Sequence, residues 1–361
     1  MRILLVRLRQ IGDVVFTTPA IRALRQRFPD AHLTYVVEPA ASPVVANNPH
    51  LNDVVVAPRS GGLRGLAADL KLGARLRAKR YDLAIDFHGG PRASLLTWLS
   101  GAGERIGYDI AGRGWMYTRR VARPRELRAR HSVENQWDLL TALGIAPPDR
   151  TAFPVEMASD AAAAARVAER LARAGVDATH QIVVIHVSAG NPFRRWPIEH
   201  FVTLATALAS RDANRRVVIT CGPSEQHASQ LVIDRSRDRG AANVLSCGEF
   251  SLVELRALLD RAALYIGGDS GPLHVAATTC VPIVGLYGPT LPERSAPWRQ
   301  ERLASESVDA GPLPCRPCDQ RVCAPGDFRC LTRVAPQQVI DAAERVITTL
   351  RDSATAPTPS R

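Results

Sequence analysis

The sequence predicts an α/β protein made of two tandem domains, each a parallel sheet with helices on both faces. Three observations carry this. Short apolar runs alternate with segments of helical periodicity, the signature of strand–helix–strand units. The alternation breaks once, near the middle of the chain, and then restarts. The 361 residues also suffice for two domains that each bury a core.

In order, ILLVRL (3–8) is a strand ended by RQIGD, and a helix follows to residue 29 with Leu24 and Phe28 spaced i,i+4. HLTYVV (32–37) is the next strand, then a short helix around 42–49 and the strand VVVAP (54–58). Over 63–80, LRGLAADLKLGARLRAKR, a helix places Leu66, Leu70 and Ala74 on one face and the basic residues on the other. YDLAIDFHG, PRASLLTWLSG and ERIGYD continue as strand, helix and strand. Residues 151–180 interrupt the rhythm with Pro154 and an alanine-rich helix, the kind of segment that links or caps a domain. Strands then recur at QIVVIHVSAG, RRVVITCG, NVLSCG, LYIGG and VPIVGLYG, with helices between. The expected organisation is a domain over 1–160, a linking or capping helix over 161–180, a second domain over 181–333, a C-terminal helix over 334–351, and a disordered Pro/Ser/Thr-rich tail over 352–361.

Composition narrows the class. No apolar run approaches the roughly 18–20 residues that a membrane span needs. The opening MRILLVRLRQIGD has arginines inside its apolar core and reads as a strand, not an export signal, so a cytoplasmic location is expected. The formal charge is +11, and it is uneven: residues 1–150 hold 23 Lys+Arg against 13 Asp+Glu, the remainder 23 against 22. A basic first half suits an anionic partner such as nucleic acid, a membrane surface or a phosphorylated substrate, although only Lys71 and Lys79 are lysines and compositional drift gives the same excess. Aromatic content of 5%, with no recognition-helix motif or zinc-finger spacing, speaks against a nucleic-acid protein. Four of the seven cysteines crowd into CRPCDQRVCAPGDFRC, at Cys315, Cys318, Cys323 and Cys330. Four thiolates this close could hold a structural Zn²⁺, or they could be reduced cysteines packed in a loop.

Residues 265–290, YIGGDSGPLHVAATTCVPIVGLYGPT, carry the strongest site signal. Gly267 and Gly268 end a strand where a ligand could approach bare backbone. Asp269 or Ser270 can cap the following helix, and Pro272 suits its first turn. The freed N–H groups of Ser270 and Gly271, with His274, would face a phosphate. Gly288-Pro289-Thr290 makes a second turn at the same edge. An ordinary capped turn, with Asp269 as N-cap and His274 half-buried, fits the same residues. A Ser-His-Asp hydrolase is excluded, because Asp269, Ser270 and His274 on one turn cannot adopt triad geometry and no G-x-S-x-G elbow is present.

This stretch resembles the signature of glycosyltransferase family 9, the ADP-heptose:lipopolysaccharide heptosyltransferases. The opening 5–37, with its Gly-Asp-Val loop and Thr-x-Pro helix, and RRWPIEHF (194–201) are similar to further family elements, so the resemblance runs from Met1 to about Leu350. It implies the GT-B fold, two Rossmann-like domains facing across a cleft, with the acceptor on the first and the nucleotide sugar on the second. The implied reaction is inverting transfer of a heptose from ADP-heptose to inner-core lipopolysaccharide. Asp13 would be the catalytic base, its alternative role being N-cap of the next helix. Ser188, Arg194, Glu225, Asp269, Ser270, Gly271 and His274 would hold the nucleotide sugar. Arg59, Arg64, Arg92, Arg119, Arg120 and Arg123 would meet the phosphate-rich acceptor, with peripheral contact to the inner membrane surface. The family often has lysine at the position of Arg194; arginine would neutralise phosphate bidentately. No Asp-x-Asp occurs in the chain, so no catalytic cofactor is expected. Rival readings are a family member using another nucleotide sugar or glycan acceptor, a GT-B-type epimerase, and the nucleic-acid protein.

Overall fold

A computed structural model describes residues 1–59, 61–123, 130–187 and 191–355, the last seven by backbone alone. The chain divides into two compact units, Met1–Ala158 and Ser159–Arg361.

Each unit is built on a six-stranded sheet, parallel throughout. In the first, β1 (Arg2–Val6), β2 (His32–Val37), β3 (Asp53–Val56), β4 (Leu83–Asp86), β5 (Glu104–Tyr108) and β6 (Arg119–Val121) lie in the order β3-β2-β1-β4-β5-β6. In the second, β7 (Gln181–His186), β8 (Arg215–Thr220), β9 (Val244–Ser246), β10 (Leu264–Gly268), β11 (Ile283–Tyr287) and β12 (Ser305–Asp309) lie in the order β12-β11-β10-β7-β8-β9. Counted within its own unit, each sheet runs 3-2-1-4-5-6, the doubly wound topology. The architecture therefore repeats although the sequence does not. In both sheets the order reverses beside the first strand, between β1 and β4 and between β7 and β10. Ligand sites in such sheets form there, beyond the strand carboxyl ends.

The central strands are buried on both faces, as covered parallel sheets require. Every residue of β10 and β11 is buried, as are the last four of β1 and the last five of β2. The core of the second unit joins Val183, Ile185 and Val217 to Leu204 and Leu208 of the helix Ile198–Ser210 and to Val339, Ile340 and Ala343 of the helix Pro336–Thr355.

Three helices bear on the expected organisation, and one of them departs from its expected end. The helix Ala161–Arg173 belongs to the second unit: Arg166 Nε donates to Glu254 Oε1 at 2.9 Å, and Arg170 Nε to Cys247 O at 2.9 Å. With Val167 and Leu171 buried, it presents a face that packs on that unit, as the capping alternative expects of it. The C-terminal helix continues to Thr355, into the segment expected to be tail, and residues 356–361 lie outside the described ones. The stripe of Leu66, Leu70 and Ala74 faces solvent, while Gly65, Gly73 and Leu76 make the buried seam of the helix Gly62–Ala78.

Candidate functional site

Beyond the carboxyl end of β1, the chain turns into the helix Ile11–Val15. Gln10 is its N-cap, and Asp13 stands at the third helical position, not at the cap. Its carboxylate accepts from Gln10 N at 3.2 Å and meets Arg7 Nη2 at 2.7 Å. The register explains Arg7: Val6 pairs with Val36 and Asp86, so the next residue emerges at the switch point. Arg7 Nη1 donates to Phe87 O, which fixes the cation across β1 and β4. Leu8 N donates to His88 Nδ1 at 3.3 Å. Burial, then the Arg7 cation, pushes His88 down to about 4, so its imidazole is neutral near pH 7. Asp13 keeps a side-chain exposure of 37%. It is thus an oriented, reachable carboxylate beside a fixed cation.

Of the six arginines assigned to an acceptor, Arg92 commits its guanidinium within the unit: to Asp69 at 2.8 Å, to Glu38 at 3.0 Å and to Pro58 O at 2.9 Å. Arg59 is exposed just after β3, and Arg64 is exposed in the first turn of the helix Gly62–Ala78 that follows it. Arg119 and Arg120 are exposed on β6, near Glu104 (3.4 Å) and Asp109 (3.8 Å), and the Arg123 guanidinium lies over the Tyr108 ring. Because β3 and β6 are opposite edges of the sheet, these residues form two groups rather than one patch.

In the second unit the glycine-rich turn is a buried ion-pair centre. Asp269, 3% exposed, follows β10; its Oδ2 meets Arg194 Nη1 at 3.1 Å and accepts from Thr290 Oγ1 at 2.5 Å, and its Oδ1 lies 3.4 Å from His274 Nε2. Burial alone would raise this carboxyl. The His274 hydrogen bond, the Arg194 cation and the Thr290 hydroxyl outweigh it and hold the group down to about 2. Asp269 therefore does not cap the helix Gly271–Ala276; Ser270 is the N-cap, with no side-chain cap bond. Gly267 is not open to a ligand either. A Cβ there would lie 2.4 Å from Tyr265 Oη, so the glycine makes room for a tyrosine of its own strand. The two turns do meet at this edge, through Thr290.

Arg194 Nη1 also donates to Asp269 O at 2.7 Å, and its Nε to Gln320 Oε1 at 2.9 Å. Beside it lies a cavity of about 240 Å³. Val187, Trp196, Ile198, Phe201 and Leu286 give it apolar walls; Arg194, Arg195, Ser224 and Glu225 supply polar groups. Glu225, 6% exposed, accepts from Ser224 Oγ at 2.6 Å and meets Arg195 Nη2 at 3.2 Å. Apolar walls with a few fixed polar groups suit an organic ligand. The arrangement can hold a flat or ring-shaped group against Trp196 and Phe201 while arginines meet negative charge. Ser188 lies outside the described residues.

The sequence reading missed Arg7, His88, Arg195 and Gln320. Arg195 was marked only by its place in RRWP, and nothing marked Gln320, which reaches Arg194 from the cysteine-rich loop. Cys315, Cys318, Cys323 and Cys330 line one cavity of about 230 Å³ with Phe193, Pro289 and Phe328, all as free thiols. Among the described residues no group of three or more His, Cys, Asp or Glu side chains converges as a metal-ligand set. The four cysteines thus face one shared cavity of the cysteine-rich loop.

Comparison with known proteins accords with this geometry. The chain is 28% identical over 313 residues to lipopolysaccharide heptosyltransferase 3 of Escherichia coli, covering 86% of this chain and 89% of that protein. A glycosyl transferase family 9 structure from Veillonella parvula superposes with a TM-score of 0.83 at 23% identity, covering 96% and 97% of the two chains. The E. coli heptosyltransferase WaaC with ADP gives 0.69 at 22% identity, covering 96% and 100%. These likenesses show the GT-B class of fold, with its two Rossmann-like parallel-sheet domains. The profile of glycosyltransferase family 9 (heptosyltransferase) matches residues 70–325, and the chain belongs to that family.

Proposed function

We propose that this protein transfers a heptose from ADP-L-glycero-D-manno-heptose to the inner core of lipopolysaccharide, with inversion and without a catalytic metal. The observation that carries the reading is Arg194, anchored on Asp269 at the strand edge of the second unit and lining the cavity with Glu225. The names of the relatives support heptosyl transfer to lipopolysaccharide, and one structural relative holds ADP.

In this reading the acceptor hydroxyl oxygen attacks the anomeric carbon from the face opposite the leaving group. Its proton passes to the Asp13 carboxylate, the bond from that carbon to the diphosphate oxygen breaks, and ADP leaves with the electron pair. General-base assistance of this kind supplies about 10²–10⁴-fold. Arg194 neutralises charge growing on the diphosphate, and the Gly271 N–H at the start of its short helix adds a donor. Asp269 and His274 act one layer behind, fixing Arg194 and the turn. Glu225, steadied by Ser224 and Arg195, accepts from sugar or ribose hydroxyls. The lack of an Asp-x-Asp supports the metal-free assignment, since arginine then does the work of a bridging cation.

The test is a panel of nucleotide sugars scored for nucleotide release, with and without a Kdo-bearing lipid acceptor. Acceptor-dependent ADP release from ADP-heptose, unchanged by EDTA, is the expected result. Preference for another nucleotide sugar refutes the donor, and loss in EDTA with rescue by manganese refutes the metal-free step.

A further inference from the structure

At the switch point of the first sheet β1 and β4 run side by side, with Val6 paired to Asp86, so residues 7–8 and 87–88 leave the sheet together. His88 is the last of them and stands half-buried. The turn that carries it is held firmly. Asp86, fully buried, accepts from His88 N at 2.8 Å and from Gly89 N at 2.9 Å, and Tyr117 Oη donates to the same carboxylate at 2.6 Å. Gly90 lies close against the imidazole: a Cβ there would stand 2.9 Å from His88 Cδ2 and 3.0 Å from Nε2.

The two ring nitrogens are not alike. Nδ1 accepts from Leu8 N at 3.3 Å. A nitrogen that accepts from a backbone amide carries no proton, so the proton of the neutral ring sits on Nε2. Nε2 has no hydrogen-bond partner among the described residues, and it is not sealed from solvent. Arg7 ties this donor to the base: its Nη1 donates to Phe87 O, one residue before His88, and its Nη2 lies 2.7 Å from Asp13 Oδ2. A ring that merely buttresses the turn would use Nδ1, which gives Leu8 N an acceptor, and would leave Nε2 without a purpose. We infer that His88 Nε2–H holds the acceptor sugar, donating to a hydroxyl oxygen next to the one that Asp13 deprotonates. The inference rests on the transfer reading above and deepens it, since this contact sets which hydroxyl faces Asp13. A neutral donor suits an uncharged sugar oxygen, while the charged groups of such an acceptor are left to arginine.

The experiment separates the two nitrogens. A glutamine amide nitrogen reaches about as far as Nε2, whereas an asparagine side chain reaches only as far as Nδ1. Kdo-bearing acceptor is titrated into each full-length protein without nucleotide sugar, and steady-state kinetics are measured alongside. His88→Asn should weaken acceptor binding, and raise the acceptor KM, about tenfold, with kcat and ADP affinity held. His88→Gln should keep most of the acceptor affinity. The reverse order makes His88 a buttress for Leu8 N and overturns the inference, as do equal affinities in the two variants. Nitrogen-15 NMR of the wild type gives a readout free of substitution. The imidazole should stay in the Nε2–H form from about pH 8 to about pH 5, with Arg7, Arg9 and Asp13 as the charges around it. Its Nε2 resonance should move on addition of acceptor and not of ADP. An Nδ1–H tautomer, or a resonance blind to acceptor, overturns the inference. Wild type that binds acceptor through His88 yet releases no ADP from ADP-heptose refutes the transfer reading instead, and leaves the His88 contact standing.

Discussion

Arg7 Nη2 lies 2.7 Å from Asp13 Oδ2, while Arg7 Nη1 donates to the carbonyl of Phe87. One guanidinium thereby ties the carboxylate to the two strands that flank the switch point. Its side chain is only 13% exposed against 37% for Asp13, so the cation is fixed and the acid is reachable. Asp13→Asn should lower kcat by about 10²–10⁴-fold while leaving ADP affinity intact. Arg7→Met should lower kcat by about 10–100-fold, because a misplaced base loses much of its advantage. Steady-state kinetics with calorimetric ADP titration separates the two effects; a normal rate for Asp13→Asn would leave that residue a mere helix-start acid.

Arg194 and Asp269 make the corresponding pair in the second unit, and here the acid is the buried partner. Arg194→Ala should weaken ADP binding about tenfold or more, as charge-assisted contacts to phosphate are lost. Arg194→Lys should fall between, since an ammonium cannot meet Asp269 and Gln320 with two separate nitrogens. Asp269→Asn should cost stability as well, on the order of 3–5 kcal/mol, because Arg194 would lose its buried counter-charge. Denaturant titration and ADP calorimetry on the three variants give both numbers.

Acid should destabilise the fold in two windows. His186 and His88 are both pushed down to about 4, His186 by burial and His88 by burial together with Arg7. Between pH 6.5 and 4 the unfolded chain binds protons that these imidazoles refuse, so stability falls as pH falls. For the fully buried His186 the total is about 3 kcal/mol. Asp269 acts lower: its folded value near 2 against 3.8 makes its contribution complete above pH 3.8 and lost as pH drops toward 2. Stability measured against pH should show both slopes. In His186→Gln the upper slope should shrink by about one proton's worth; an unchanged slope would mean that His186 does not titrate on unfolding.

The periodic core was legible because a strand covered on both faces needs a continuous apolar run. The strands missed were β6 and β12, both at sheet edges, where Arg119-Arg120-Val121 and Ser305–Asp309 leave most positions partly exposed and polar. The glycine-rich turn was found for its composition, but its pairings were not. Asp269, Ser270 and His274 all suit a helix start, and only the fold reveals that Thr290 and Arg194 converge on Asp269 from 21 residues downstream and 75 upstream. Arg7 was hidden for a similar reason. Read along the chain it merely interrupts an apolar strand, and its meaning comes from Phe87, brought alongside by β4. The face of Leu66, Leu70 and Ala74 was read correctly as a helical stripe, yet periodicity does not say whether a stripe meets the core or water.

Gly267 offers the sharpest test of how β10 is packed. Tyr265 is fully buried, and burial pushes its phenol far above the usual range. Its Oη would stand 2.4 Å from a Cβ on Gly267, and its Cζ 2.8 Å. Gly267→Ala must therefore displace the ring within a strand whose residues are all buried. Overpacking of this kind costs about 1–3 kcal/mol. Tyr265→Phe removes the nearest atom but leaves Cζ in place, so the double variant should recover part of that loss, not all. A double-mutant cycle by urea denaturation should give a coupling between the two sites of about 0.5 kcal/mol or more. Strict additivity would mean that the ring has room to move, and that the glycine is present for another reason, such as close approach of a ligand to the β10 backbone.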